Sequence, residues 1–199
     1  MRPVTTIVTG FVFAFGAFRL NGFDLLLDPV GWGLCASGLF RLCRSGDDPF
    51  AAAWVSAVAM ICVSFAIMTV SGGVLGYGRT ASLFAQVLDI AGTAGGLIAV
   101  WLAVEAVIRR IRPHGETAMA DLLDVLRWAV AGVGAFTLLA RYGYVGLGAV
   151  VVVVWFAVFI SLVIVLYRSA RLRCLSPTWE PVAAREPPAD VAEKPVSRD

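Results

Sequence analysis

Apolar residues along this chain come in six long runs, roughly at 4–20, 29–43, 50–70, 87–108, 122–140 and 145–167, separated by short segments rich in charge, glycine or proline. The stretch at 145–166 is twenty-two residues long with Ser161 as its only polar side chain, and a helix needs about twenty apolar residues to cross the hydrocarbon of a bilayer. A backbone in lipid has no water to bond, so a spanning segment must satisfy its own amides as a helix. The pattern therefore predicts an all-α fold, a polytopic transmembrane helical bundle of six spans over residues 1–175. From 176 to 199 the apolar periodicity stops, and prolines among alternating charges predict a disordered cytoplasmic tail.

The second run is the short one, because only twelve residues separate Asp28 from Arg41. It either crosses as a short helix, with Arg41 and Arg44 snorkelling to the headgroups and the bilayer thinning locally, or re-enters from one side. Crossing is the reading adopted, since a re-entrant segment would throw the later arginines to the opposite face. Asp28-Pro29 and Asp48-Pro49 each supply a capping carboxylate and a proline suited to a first helical turn. Ser71-Gly72-Gly73, Gly76 and Gly78 break the chain after the third run. Ahead of the fifth, Met119, Leu122, Leu123 and Leu126 fall on one helical face and Asp121 and Asp124 on the other, which predicts a turn lying in the membrane interface. Arg2, the first apolar run and the small residues Ala14 and Gly16 resemble a cleavable signal. Arg19 and the next apolar segment follow at once, so a retained first helix is expected.

Charge orients the bundle. Arg2, Arg41, Arg44, Arg109, Arg110, Arg112, Arg168, Arg171 and Arg173 lie at one set of helix ends, and only Arg19, Arg79 and Arg141 at the other. Positive residues stay on the cytoplasmic side, which places both termini on the cytoplasmic face of the membrane. Trp32, Tyr142 and Tyr144 are then expected at the outer interface, Trp54 and Tyr167 at the inner one, and Trp155 in the packing. A composition 59% hydrophobic with a formal net charge of +2 gives no basic surface for nucleic acid. Cys35, Cys43, Cys62 and Cys174 have neither metal-ligand nor disulfide spacing and read as small hydrophobes.

Few groups are left that could carry chemistry. Asp89 is an acid near the outer end of the fourth run, with Gln86 and Thr93 on the same helix face. An intramembrane acid is costly and usually functional, but its depth near the interface equally suits an ion pair or a water-exposed carboxylate. Asp24 and Asp28 are the other acids of that outer mouth, so Asp24, Asp28, Gln86, Asp89 and Thr93 form the candidate ion or partner site. Glu105 precedes Arg109 by four residues, the favourable order for a helical pair, and Arg127 could compete for it. The sole histidine, His114, lies in a charged turn, so neither a His-based metal site nor a Ser-His relay is expected, and no cofactor is implied. Gly92 and Gly96 on the fourth helix and Gly132 on the fifth are expected to let helix backbones approach. Asp24-Leu25-Leu26-Leu27-Asp28 with Trp32 recurs as Asp121-Leu122-Leu123-Asp124 with Trp128, as an inverted repeat of three plus three spans would leave it, although the matched residues are common in membranes.

Phe23-Asp24-Leu25-Leu26-Leu27-Asp28-Pro29-Val30-Gly31-Trp32-Gly33-Leu34, closing with Gly38-Leu39-Phe40-Arg41-Leu42, resembles a motif of multi-pass membrane proteins of Gram-positive, chiefly actinobacterial, bacteria. The resemblance implies a bacterial plasma-membrane protein and no reaction. The expected role is structural or partner-binding, with the bilayer as solvent and a second copy or another membrane protein as partner. The alternative is a small transporter or ion-conducting protein with an acidic outer mouth. An enzyme is not expected, because no reactive constellation lies at midplane depth.

Overall fold

A computed structural model describes residues 3–15, 27–43, 48–71, 81–139 and 148–172. Among them are six α-helices: α1 (Pro3–Phe15), α2 (Leu27–Leu42), α3 (Pro49–Ser71), α4 (Ala81–Ile111), α5 (Thr117–Leu139) and α6 (Gly148–Ser169). The fold is all-helical, as the apolar runs predict. Two helices are long and apolar enough to cross a membrane on their own, over Pro49–Thr69 and Gln86–His114. The sequence pattern predicts six such spans, and the difference has physical causes. Helix α2 has 16 residues with Asp28 and Arg41 near its ends, about 24 Å at 1.5 Å per residue. In α5 Asp121, Asp124 and Arg127 occupy the first half. The described apolar parts of α1 and α6, Pro3–Phe15 and Val153–Ser169, are shorter. The predicted tail, the glycine-rich turn after Ser71, Asp24, Arg19, Arg79, Arg141, Tyr142 and Tyr144 lie outside the described residues.

Consecutive helices pack antiparallel. Gly38 lies beside Pro3 and Ile7 while Gly31 lies beside Gly10 and Ala14, which runs α2 back along α1. Phe40 meets Trp54 between α2 and α3. Gly92 and Gly95 face Ile67 and Met60 across α3 and α4, and Trp101 meets Trp128 edge-on between α4 and α5. Phe15 contacts Trp155 and Phe159, so α6 returns to α1 and the helices close on themselves. The core runs down the middle of this arrangement through Phe11, Trp32, Val100, Val104, Ile111, Leu123 and Leu162.

Trp32 belongs to that core. It lies near the start of α2 and packs edge-on against Phe11 and Phe15, turned inward rather than toward the surroundings. An apolar helix has no polar face to reveal which side turns inward, so periodicity does not show this. The helical turn expected to feed the fifth run is the start of α5, but its leucines do not share one face. There Ala120 and Leu123 turn inward, while Leu122 is exposed.

Glycines set the closest approaches, though not all at the expected positions. A β-carbon on Gly92 would lie 2.7 Å from Ile67 Cδ1, and one on Gly96 would make ordinary contacts of 3.5–3.6 Å with Phe15 and Trp32. Gly132 has open space and lines an apolar cleft of about 250 Å³ with Phe136, Val150 and Val154. The tight glycine of α5 is Gly134, where a β-carbon would lie 2.6 Å from Leu97 Cδ2. Gly134→Ala is expected to cost about 1 kcal/mol, visible as a lower melting temperature of the detergent-solubilised protein. Gly132→Ala is expected to leave that temperature unchanged, and equal shifts would contradict this packing.

Candidate functional site

The antiparallel register brings the end of α2, the start of α3, the end of α4, the start of α5 and the end of α6 to one end of the bundle. The chain's described ion pairs gather there. Asp48 opens α3 as a cap, accepting the Phe50 amide at 3.1 Å on Oδ1, which supplies an acceptor to an otherwise unbonded first-turn N–H. Its Oδ2 takes Arg110 Nη2 at 3.2 Å, and the carboxylate is only 6% exposed. The same Nη2 donates to the Leu42 carbonyl at 3.3 Å, and the guanidinium lies 5.4 Å from the centre of the Phe50 ring. One arginine on α4 thereby holds the last carbonyl of α2 and the first turn of α3.

A second group lies between α4 and α5. Arg109 Nε donates to Glu105 Oε1 at 2.7 Å, the helical pair expected from their spacing. Arg127 reaches the other oxygen of Glu105 through Nη1 and Asp124 through Nη2. Its guanidinium sits 4.1 Å from the centre of the Trp101 ring, where the ring's negative face attracts a cation. Glu105 is thus shared by two arginines, one on its own helix and one across the interface. Beyond it a 3-10 turn, Arg112–His114, ends at Gly115, whose φ of +83° a residue with a side chain rarely adopts. Arg112 approaches Asp121 at 3.7 Å with both side chains mostly exposed. Together Glu105, Arg109, Arg112, Asp124 and Arg127 line an open cleft of about 430 Å³.

The acidic mouth expected from the sequence lies at the opposite end. Asp28 is exposed at the start of α2, and Gln86 is exposed and Thr93 half-buried on α4. Asp89 lies on α4 between them, but its side chain, like all of Asp24, is outside the described residues. Among the described residues no three His, Cys, Asp or Glu side chains form a group that could hold a metal ion. Local spacing was enough to find Glu105 and Arg109. The Asp48–Arg110 pair joins residues 62 apart in sequence, and its only sequence trace is an Asp-Pro cap.

Around Arg127, α5 encloses a charge and turns large apolar side chains outward. Arg127 is 12% exposed, while Trp128 is 62% and Val125 is 65% exposed. Large apolar side chains also point outward on the other long helices, among them Phe65 on α3, Ile98 on α4, and Phe156, Ile160 and Ile164 on α6. The hydroxyls of Thr9, Ser56, Thr69, Thr137 and Ser161 each donate to a carbonyl three or four residues earlier in their own helix. Such back-bonding satisfies a polar group where the surroundings offer no other acceptor. No protein family, curated protein or solved structure matches the chain.

Proposed function

We propose that the chain is a six-span integral protein of a bacterial plasma membrane, with its arginine-rich end and both termini in the cytoplasm, and that it works by packing against a second copy or another membrane protein. The observation that carries the membrane reading is the arrangement on α5, where a charged arginine is enclosed and a tryptophan and valine face out. In water the apolar surface left outside would cost about 25 cal/mol for each Å², whereas lipid tails accept it without that cost. The self-bonded hydroxyls suit the same solvent. Arginines at one end match the side on which positive charge is retained. In that setting α2 crosses as a short helix, and α5 brings Asp121, Asp124 and Arg127 into the inner headgroup layer. The role in packing is supported by the large apolar side chains left outward on α3, α4, α5 and α6, a surface on which a partner helix in the membrane can make close van der Waals contact.

Cross-linking in native membranes, followed by purification in mild detergent, tests this role. A defined species larger than the 21.2 kDa chain, either an oligomer or a complex with a companion, is the expected result. A monomer that carries protons or cations into reconstituted vesicles, with the flux abolished by Asp89→Asn, would overturn it in favour of transport.

A further inference from the structure

We propose that the cleft between α4 and α5 binds a phosphate group, and that in the cell this phosphate belongs to the headgroup of an anionic phospholipid. The inference rests on the membrane reading above and adds a ligand to it. Three guanidinium groups and two carboxylates line the cleft. Arg127 is held inward by Glu105 and Asp124 and Arg109 also pairs with Glu105, so among the groups lining the cleft the three guanidiniums exceed the two carboxylates by one positive charge. Arg109 hydrogen-bonds Glu105 through its Nε, its side chain is 66% exposed, and among the described residues its two Nη groups make no hydrogen bond. Arg112, 62% exposed, has only the loose 3.7 Å approach to Asp121, and such an exposed contact contributes little. Two largely exposed guanidinium groups therefore line one opening, and a guanidinium presents paired N–H donors of the kind that bind phosphate oxygens.

Depth identifies the source of that phosphate. Arg109 and Arg112 stand at the end of the apolar stretch Gln86–His114, where a spanning helix leaves hydrocarbon and enters the headgroups. The exposed Val125 and Trp128 lie on the adjoining helix, so acyl chains can run along α5 while the headgroup faces the arginines. Basic recesses between helices on the cytoplasmic side attract anionic lipid, each cation near the surface strengthening the attraction.

The full-length protein in nanodiscs containing phosphatidylcholine and phosphatidylglycerol, examined by native mass spectrometry after partial delipidation, tests the site. Wild type should retain phosphatidylglycerol selectively, and Arg109→Gln/Arg112→Gln should reduce that preference about ten- to thirty-fold. Arg168→Gln/Arg171→Gln, exposed cations at the same end but outside the cleft, should keep the wild-type preference. Equal retention by the cleft variant, or equal loss in the control variant, would overturn the proposal. Displacement of the lipid by millimolar glycerol 3-phosphate would overturn its lipid part by giving the site to a soluble phosphate. A chain recovered from aqueous extracts fails the membrane reading, whereas a membrane-embedded chain without lipid preference fails the headgroup site alone.

Discussion

Gly31→Val is expected to prevent α1 and α2 from packing and to lower stability by about 3 kcal/mol or more. A β-carbon at Gly31 would lie 2.6 Å from the amide nitrogen of Ala14 and 2.8 Å from the carbonyl oxygen of Gly10. Both are backbone atoms, so no rotamer change can move them aside. The crossing is tight from the other side as well, since a β-carbon on Gly10 would meet the Gly31 carbonyl at 2.6 Å and the Cys35 amide at 2.7 Å. Helix association in lipid depends on close van der Waals contact rather than on removing apolar surface from water, and a forced separation forfeits that contact along the whole pair. Resistance to unfolding by increasing dodecyl sulfate in mixed micelles measures the effect. Gly33, on the same helix with nothing within 4 Å of its β-carbon position, supplies the control. Gly33→Val should unfold with the wild type, and identical behaviour of the two valine variants would contradict the crossing.

Arg110→Ala is expected to be the next most damaging change, at about 2–3 kcal/mol. The substitution removes the cation 3.2 Å from a carboxylate that is only 6% exposed, the donor to the Leu42 carbonyl, and the charge over Phe50. A buried ion pair adds modest net stability when intact, but losing one member leaves its partner's desolvation uncompensated. Asp48→Ala/Arg110→Ala should accordingly be less than additive in the same assay. Arg110→Lys should recover only part of the loss, because an ammonium cannot spread its bonds between carbonyl and carboxylate as a planar guanidinium does. Full additivity of the double variant would show that the two side chains act independently.

The sequence made the helices legible because apolar run length is a local property, and the capped start at Asp48-Pro49 is likewise local; at Asp28-Pro29 the helix begins one residue earlier, at Leu27. Glu105 and Arg109 were visible for the same reason, being one helical turn apart. Arg127, on the next helix, was visible as a competitor for Glu105, but nothing near Asp48 announces Arg110 and nothing near Gly10 announces Gly31. Faces were hidden too. Trp32 turned inward and Gly132 outward on helices that are apolar on most sides, where periodicity gives no direction. The polar candidates of the outer mouth stood out as rare acids among apolar neighbours, yet the clustered ion pairs formed at the opposite end, where arginines and carboxylates from several helices meet.

The most direct test of lipid as the solvent of this fold uses Cys62, which is exposed on α3 within the apolar stretch Pro49–Thr69. A thiol in hydrocarbon cannot ionise to the thiolate that reacts, so exposure to lipid and exposure to water give opposite outcomes. In membranes from cells expressing the chain with Cys35, Cys43 and Cys174 replaced by alanine, Cys62 should resist a charged maleimide until dodecyl sulfate is added. In the same background with Cys62 also replaced, Glu116→Cys, in the exposed turn before α5, should react readily in inverted vesicles. Labelling of Cys62 without detergent, as fast as that of Glu116→Cys, would contradict the account.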